Sequence, residues 1–270
     1  MIQFPQGKIN LGLHVLEKRP DGFHNIETVL YPVSLADILE VVISEGNDLS
    51  FAMSGIEIPG DSKNNLCIKA YHLVQEKFAI GPVEIHLHKN IPVGGGLGGG
   101  SSDAVSMIMI LNDLFALRMG TSQMKEIATE LGSDCAFFLE NKPALAQGRG
   151  EILTPVDLDL KDFMVIIVKP GAHGDTALAY ADVIPSKRSG SILEIVQQPI
   201  SSWPANLVND FEKRSIIEYP DIKRIKDQLD YLGAIYSSMT GSGSAVYGIF
   251  SKTCTSQLHF PGSFIWYGNL

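Results

Sequence analysis

The run Pro92, Val93, Gly94, Gly95, Gly96, Leu97, Gly98, Gly99, Gly100, Ser101, Ser102 and Asp103 places six glycines in seven positions immediately before a long apolar stretch. Glycine costs extra conformational entropy on folding, so a globular chain concentrates it where side chains would block a close approach or where φ must be positive. Amides at the start of a helix lack intrahelical acceptors and carry the positive end of the helix dipole. A loop of bare amides leading into a helix is therefore an anion cradle, and phosphate oxygens are its natural occupants.

Two familiar phosphate loops do not fit. Gly94, Gly96 and Gly99 satisfy G-x-G-x-x-G. A dinucleotide fold also wants an acidic residue about 20 positions onward, at the end of a second parallel strand. The chain there reads Met119-Gly120-Thr121, a turn. A Walker A loop ends in Gly-Lys-Ser/Thr, whereas this one ends in Gly100-Ser101-Ser102 with no lysine. The H-R-D and D-F-G elements of protein kinases are missing. A Gly/Ser linker is disfavoured by the strand before the loop and the apolar helix after it.

The elements that must hold this loop are legible from periodicity. Ile9, Leu11, Leu13 and Val15 alternate with polar or small residues as in a half-buried strand, with Lys8 at its beginning. Pro20-Asp21-Gly22 reads as a turn, and Phe23 to Val33 as the second strand of a hairpin. Another strand is expected over 37–43, a helix over 66–78, and a strand from Val83 to Leu87 that delivers the chain to the loop. Ala104 to Phe115 is apolar enough for a buried helix. Thr121 to Leu131 forms the next, closed by Gly132, and Ser133 offers a cap for a third that would carry Asp134 in its first turn. Beyond a seam at 152–162, strands are expected over 163–168, 234–239, 245–250 and 263–267, with helices over 176–182 and 221–232. Strands and helices mix without strict alternation, which favours an α+β architecture in two domains, 1–155 and 156–270.

Composition narrows the function classes. A chain of 270 residues with 45% hydrophobic content can bury a substantial core. A net charge of −9, with 21 Lys and Arg against 30 Asp and Glu, argues against a nucleic-acid surface, so any phosphate ligand is held locally. Cys67, Cys135 and Cys254 are too few and too scattered for a disulfide framework or a zinc site, which fits a reducing cytoplasm. Neither an export signal nor a membrane span is expected.

Three segments together resemble the GHMP kinases, a family of small-molecule kinases: Lys8-Ile9-Asn10-Leu11, the loop from Pro92 to Asp103, and Thr240-Gly241-Ser242-Gly243-Ser244. Further matches, Asp21-Gly22-Phe23-His24, Gly132-Ser133-Asp134 and Gly148-Arg149-Gly150-Glu151, point to the branch acting on a cytidylyl alcohol of isoprenoid synthesis. The resemblance implies a two-domain fold, ribosomal protein S5 domain 2-like then ferredoxin-like, and transfer of the γ-phosphoryl of ATP, with Mg²⁺, to a small-molecule substrate carrying cytidine diphosphate. The sequence itself carries no strong interface signal, so a monomer or weak homodimer is expected, and its charge and lack of a long apolar run argue against nucleic-acid or membrane partners.

Phosphoryl transfer needs an oriented nucleophile and neutralised charge, which a protein supplies by positioning and electrostatics. By resemblance, the loop from Pro92 to Ser102 wraps the ATP phosphates, one of Ser101 and Ser102 reaches Mg²⁺, and Asn65, Leu66, Lys89 and Val93 line the adenine pocket. Serine also suits a plain helix cap, as does aspartate. The resemblance instead gives Asp134 the role of general base and Lys8 that of its cationic partner. Phe23, His24 and Tyr180 are implied in cytosine recognition, rings for stacking and an imidazole for hydrogen bonds. Phe23 stands where relatives have tyrosine, and Ser242 where they have threonine. Asn10, Thr176 and the turn Gly241, Ser242 and Gly243 are implied to hold the rest of the substrate, the turn through its amides. Three alternatives stay open: another acceptor within the family, a catalytically silent binding or regulatory member, and an NAD-dependent oxidoreductase.

Overall fold

A computed structural model describes residues 1–58, 60, 64–171, 176–186, 190–252 and 259–270, without the side chains of 176, 177 and 182. The chain forms two compact units, one of Met1–Gly7, Leu35–Pro92 and Gly98–Asn141, the other of Lys8–Ser34, Val93–Leu97 and Lys142–Leu270. The linear boundary expected at 155/156 thus differs from the compact units, and falls inside the second. The reason is strand pairing. Two long strands, β2 (Gln6–Lys18) and β3 (His24–Ala36), are hydrogen-bonded in one sheet with β7 (Ala144–Gly148) and β8 (Ile152–Pro155), in the order β2-β3-β7-β8, which draws residues 8–34 to the C-terminal half.

The first unit carries the sheet β1-β4-β6-β5, from β1 (Ile2–Gln3), β4 (Ile38–Ile43), β5 (Ser50–Gly55) and β6 (Val83–Lys89). β5 and β6 run parallel and are joined through α1 (Leu66–Lys77), the crossover that parallel neighbours require. The edge strands β1 and β5 escape sequence reading because they are short or mostly exposed. α2 (Gly99–Leu114) is apolar on nearly every side, with Ala104, Val105, Met107, Ile108, Ile110 and Leu111 buried, which is the pattern of a central helix. It packs against α1, against α3 (Thr121–Leu131) and against a 3₁₀ helix, Cys135–Leu139.

The second unit adds the antiparallel sheet β10-β11-β9-β12, from β9 (Phe163–Lys169), β10 (Tyr236–Met239), β11 (Val246–Ser251) and β12 (Phe264–Asn269). The C-terminal segment is therefore a strand paired with β9. Helices α4 (Thr176–Asp182), α5 (Ile192–Val196), α6 (Trp203–Asn206), α7 (Glu212–Glu218) and α8 (Pro220–Tyr231) complete the unit. α5, α6 and α7, at seven residues or fewer, are too short for a periodic signal. Ile222, Ile225 and Leu229 of α8, three and four residues apart, project from one face into a core with Leu13, Ile166, Phe211, Met239 and Phe250.

Candidate active site

Lys8 and Asn10 lie two apart on β2, so their side chains share a face, and each is only 3% exposed. Lys8 Nζ donates to Asn10 Oδ1 at 2.7 Å, and Asn10 Nδ2 donates to Thr28 Oγ1 at 3.1 Å. Thr240 Oγ1 accepts from the Asn10 amide at 3.0 Å and has two acceptors in reach, Asn10 Oδ1 at 3.1 Å and the Gly96 carbonyl at 3.2 Å. The Tyr247 hydroxyl donates to the Asn10 carbonyl at 2.8 Å. Asn10, expected to touch substrate, is thus committed within the fold, where it orients the Lys8 ammonium. Thr240 and Tyr247 were missed as site residues; Thr240 lay within a quoted motif, while nothing local marks Tyr247.

The glycine loop is fastened by its carbonyls. In the second unit, Gly94 accepts from Ser244 N at 3.2 Å, Gly95 from Ala245 N at 3.3 Å and Leu97 from Lys8 N at 2.9 Å. Gly96 has φ +73°, and a Cβ there would stand 2.2 Å from the Thr240 carbonyl oxygen. Gly241 faces it with φ +55°, its own Cβ position 3.2 Å from Gly96 Cα. Two turns therefore pack backbone on backbone, which only glycine allows. Asn209, also missed, donates through Nδ2 to the carbonyls of Met239 and Gly241, both at 2.8 Å, and so fixes the turn that continues into Ser242 and Gly243.

In the first unit, Gly98 occupies the cap position of α2 in the left-handed region, at φ 72° and ψ 11°, and its carbonyl accepts from Ser102 N at 3.0 Å. Ser102 is thus the fourth residue of the helix and not its cap. Among the described residues, the amides of Gly99, Gly100 and Ser101 find no acceptor. These are orphan donors at the positive end of a 16-residue helix. Leu66 Cδ1 lies 3.5 Å from where a Gly100 Cβ would be, and Asn65 caps α1 by accepting from Cys67 N at 2.8 Å. Leu66 therefore faces the same first turn. The Ser101 hydroxyl meets the Cys135 thiol, whose pKa burial pushes up to about 11.

Asp134 departs from its expected setting. It precedes a five-residue 3₁₀ helix and not an α-helix, because Cys135 N turns back to the Gly132 carbonyl at 3.1 Å and tightens the winding. Its carboxylate makes no capping bond to that helix. Lys89 departs further. It takes the inward phase of β6 after Val83, Ile85 and Leu87, is 1% exposed, and is paired with Asp37 and with Asp103, the latter at 2.7 Å. Its ammonium is not presented to an adenine. Val93 is half-buried and Pro92 buried.

The aromatic group is partly assembled. His24 and Tyr180 are stacked, with ring centroids 5.2 Å apart and planes at 26°. Burial, with Lys18 adding to it, holds the His24 imidazole below its ordinary pKa. Phe23 is 53% exposed and carries the Arg149 guanidinium 4.6 Å from its ring centre, a cation–π contact and not core packing. Thr176 begins α4, but its side chain lies outside the described residues.

A glycine loop anchored by its carbonyls, with orphan amides at the following helix, is a site of the GHMP kinase type, and the chain belongs to that family. A family model described as GHMP kinases N terminal domain matches residues 65–142, and one described as GHMP kinases C terminal matches 195–253. The fold is the two-domain α+β fold of this family. The 4-diphosphocytidyl-2-C-methyl-D-erythritol kinase of Bacteroides fragilis is 47% identical over 98% of this chain and 97% of its own length. A crystal structure of 4-(cytidine 5'-diphospho)-2C-methyl-D-erythritol kinase superposes with a TM-score of 0.76 at 32% identity, covering 92% of this chain and 90% of that one. Homoserine kinase from Cytophaga hutchinsonii shares the fold at a TM-score of 0.71 and 16% identity, over 98% and 95% of the two chains.

Thr240→Val keeps the shape of the side chain and removes the hydroxyl joining Asn10 to Gly96. A buried amide left without its acceptor costs roughly 1–3 kcal/mol. Denaturant unfolding of Thr240→Val should show a loss of that size, which Thr240→Ser should largely restore.

Proposed function

We propose that this chain transfers the γ-phosphoryl of ATP to the 2-hydroxyl of 4-diphosphocytidyl-2-C-methyl-D-erythritol, yielding ADP and the 2-phosphate, a step in isoprenoid precursor synthesis by the non-mevalonate route. The observation that carries phosphoryl transfer is the carbonyl-anchored loop ending in the orphan amides of Gly99, Gly100 and Ser101. Choice of acceptor rests on the near full-length likeness to kinases bearing that substrate's name.

The chain's residues divide the work. Amides of the loop and of the first turn of α2 receive phosphate oxygens, and fixed donors of this kind need no reorganisation as charge shifts in the transition state. Asn65, Leu66 and Val93 are assigned to the adenine side. Magnesium bound with the nucleotide supplies further neutralisation of the phosphate oxygens, and Ser101 or Ser102 is its proposed contact in the protein. Asp134, whose carboxylate is not used as a cap, is proposed to orient the acceptor hydroxyl and take its proton late in the transfer. Lys8, held in one orientation by Asn10, is the proposed cation at the transferred group.

His24 and Tyr180 already touch, so the cytosine is proposed to extend their stack and not to enter it, with an imidazole nitrogen reading its polar edge. The exposed ring of Phe23 and the guanidinium of Arg149 supply a flat face and a cation for the same cytidine diphosphate. The turn Gly241, Ser242 and Gly243, with Thr176, is assigned to the rest of the substrate. No helix among the described residues is long and apolar enough to cross a membrane. A cytoplasmic monomer or weak homodimer completes the proposal.

Mg²⁺-dependent ADP release should occur with the cytidylyl acceptor and stay at background with homoserine, mevalonate or galactose; turnover confined to one of those would retain the family and refute this acceptor. Asp134→Asn should leave ATP binding within about twofold and lower kcat by roughly 10²–10⁴-fold, the usual worth of a positioned base. Near-normal turnover would remove Asp134 from that role. His24→Ala should raise KM for the cytidylyl substrate about tenfold, one charge-free hydrogen bond and its stacking, and leave KM for ATP unchanged.

A further inference from the structure

Both flanks of the phosphate loop converge on one buried group of charges in the first unit. The Asp37 carboxylate accepts through Oδ1 from the amides of Asn90 at 2.6 Å and Ile91 at 2.8 Å, the last residues before the loop. Asn90 Nδ2 also donates to the Ala36 carbonyl at 3.0 Å. Through Oδ2, Asp37 meets the Lys89 ammonium. Lys89 in turn donates to Oδ2 of Asp103, the fifth residue of α2, at 2.7 Å. The run-in to the loop and the helix leaving it are thus tied to the same ammonium. All three side chains are buried.

The helix sits directly on this group. A Cβ on Gly99 would come within 2.9 Å of Ile91 Cγ2 and 3.3 Å of Lys89 Nζ. Gly99 is not in the positive-φ region. A glycine is needed there because the first turn of α2 packs against Ile91, with the Lys89 ammonium beneath.

We infer that Asp37, Lys89 and Asp103 form a buried ion cluster that positions the phosphate loop, so that Lys89 acts on nucleotide binding through the first turn of α2 and not by touching the base. This rests on the kinase reading above. Buried ion groups are weak net stabilisers compared with apolar packing, whereas breaking one leaves an uncompensated charge. Geometry is what such a cluster supplies: it sets the spacing between Ile91 and Gly99 across which the loop is strung.

The cluster also has a surplus carboxyl, two acids to one ammonium. Asp103 faces Lys89 from β6, Asp37 from the segment before β4 and the buried Cys67 of α1. Its Oδ1 finds no donor among the described residues. Burial, and then Asp37, raise its pKa against the pull of Lys89, from 3.8 to about 7. The folded chain therefore holds this proton more tightly than the unfolded one. The stability gained from it is complete below pH 3.8 and is lost as pH rises through about 7.

The test is calorimetric binding of MgATP and MgGTP to the full chain, with KM for ATP and for the acceptor measured in parallel. Asp103→Ala should weaken MgATP binding on the order of tenfold. It should leave the ATP-to-GTP ratio and the acceptor KM unchanged. Asp103→Asn keeps an acceptor for Lys89 and should bind MgATP like the parent. Lys89→Met should resemble Asp103→Ala where it folds. Unchanged MgATP affinity in Asp103→Ala, or an equal rise in both KM values, would overturn the inference, as would an altered ATP-to-GTP ratio in Lys89→Met. A parent chain that binds no MgATP would refute the kinase reading first, and this inference with it.

Discussion

A loop whose carbonyls are all taken up inward leaves its amides to face the other way, and the structure around residues 94–98 is organised by that constraint. Five successive carbonyls accept hydrogen bonds, from Ser244 N, Ala245 N, Thr240 Oγ1, Lys8 N and Ser102 N. Buried backbone acceptors must be paired, so each bond both satisfies a carbonyl and turns the following peptide. The partners come from distant segments: β2, the Thr240 turn and the start of α2. Loop, strand and turn therefore cannot be built independently, and Gly96 and Gly241 must both lack side chains for the same contact.

Two buried lysines serve this arrangement in opposite ways. Lys89 lies between carboxylates, where burial lowers the pKa of the ammonium but Asp103 and Asp37 more than offset it, so its charge is neutralised inside the fold. Lys8 donates to the neutral side-chain amide of Asn10, which directs the ammonium. A lysine held between two buried acids is committed to geometry. Residue type is identical in the two cases. Partner chemistry separates the roles.

Much of this was legible in the chain. The bare-amide loop was readable because glycine density has few other physical uses ahead of an apolar helix, and α3, closed at Gly132, was readable because a 3.6-residue period ending at a glycine is a local signal. Even the inward phase of Lys89 was present, as the fourth member of the alternation Val83, Ile85, Leu87; an unaccompanied charge at a core position implies a partner somewhere. The short helices, the edge strands and the 3₁₀ winding at Asp134 were not legible, because tertiary contacts and tight i→i+3 turns shape them more than any periodic pattern does.

By itself the sequence determined the glycine loop, most of the long elements around it and, through its motif order, the family. Those are properties of neighbouring residues, governed by backbone freedom and hydrophobic period. Only the tertiary structure decided which side chains are available for chemistry. Asn10 is turned inward by Thr28 and Thr240, Lys89 is taken up by Asp37 and Asp103, and His24 is stacked on Tyr180. Each of these outcomes depends on a partner between 14 and 230 residues away or on another element, and a hydrogen bond or ion pair is set by distance in space, which no local pattern encodes.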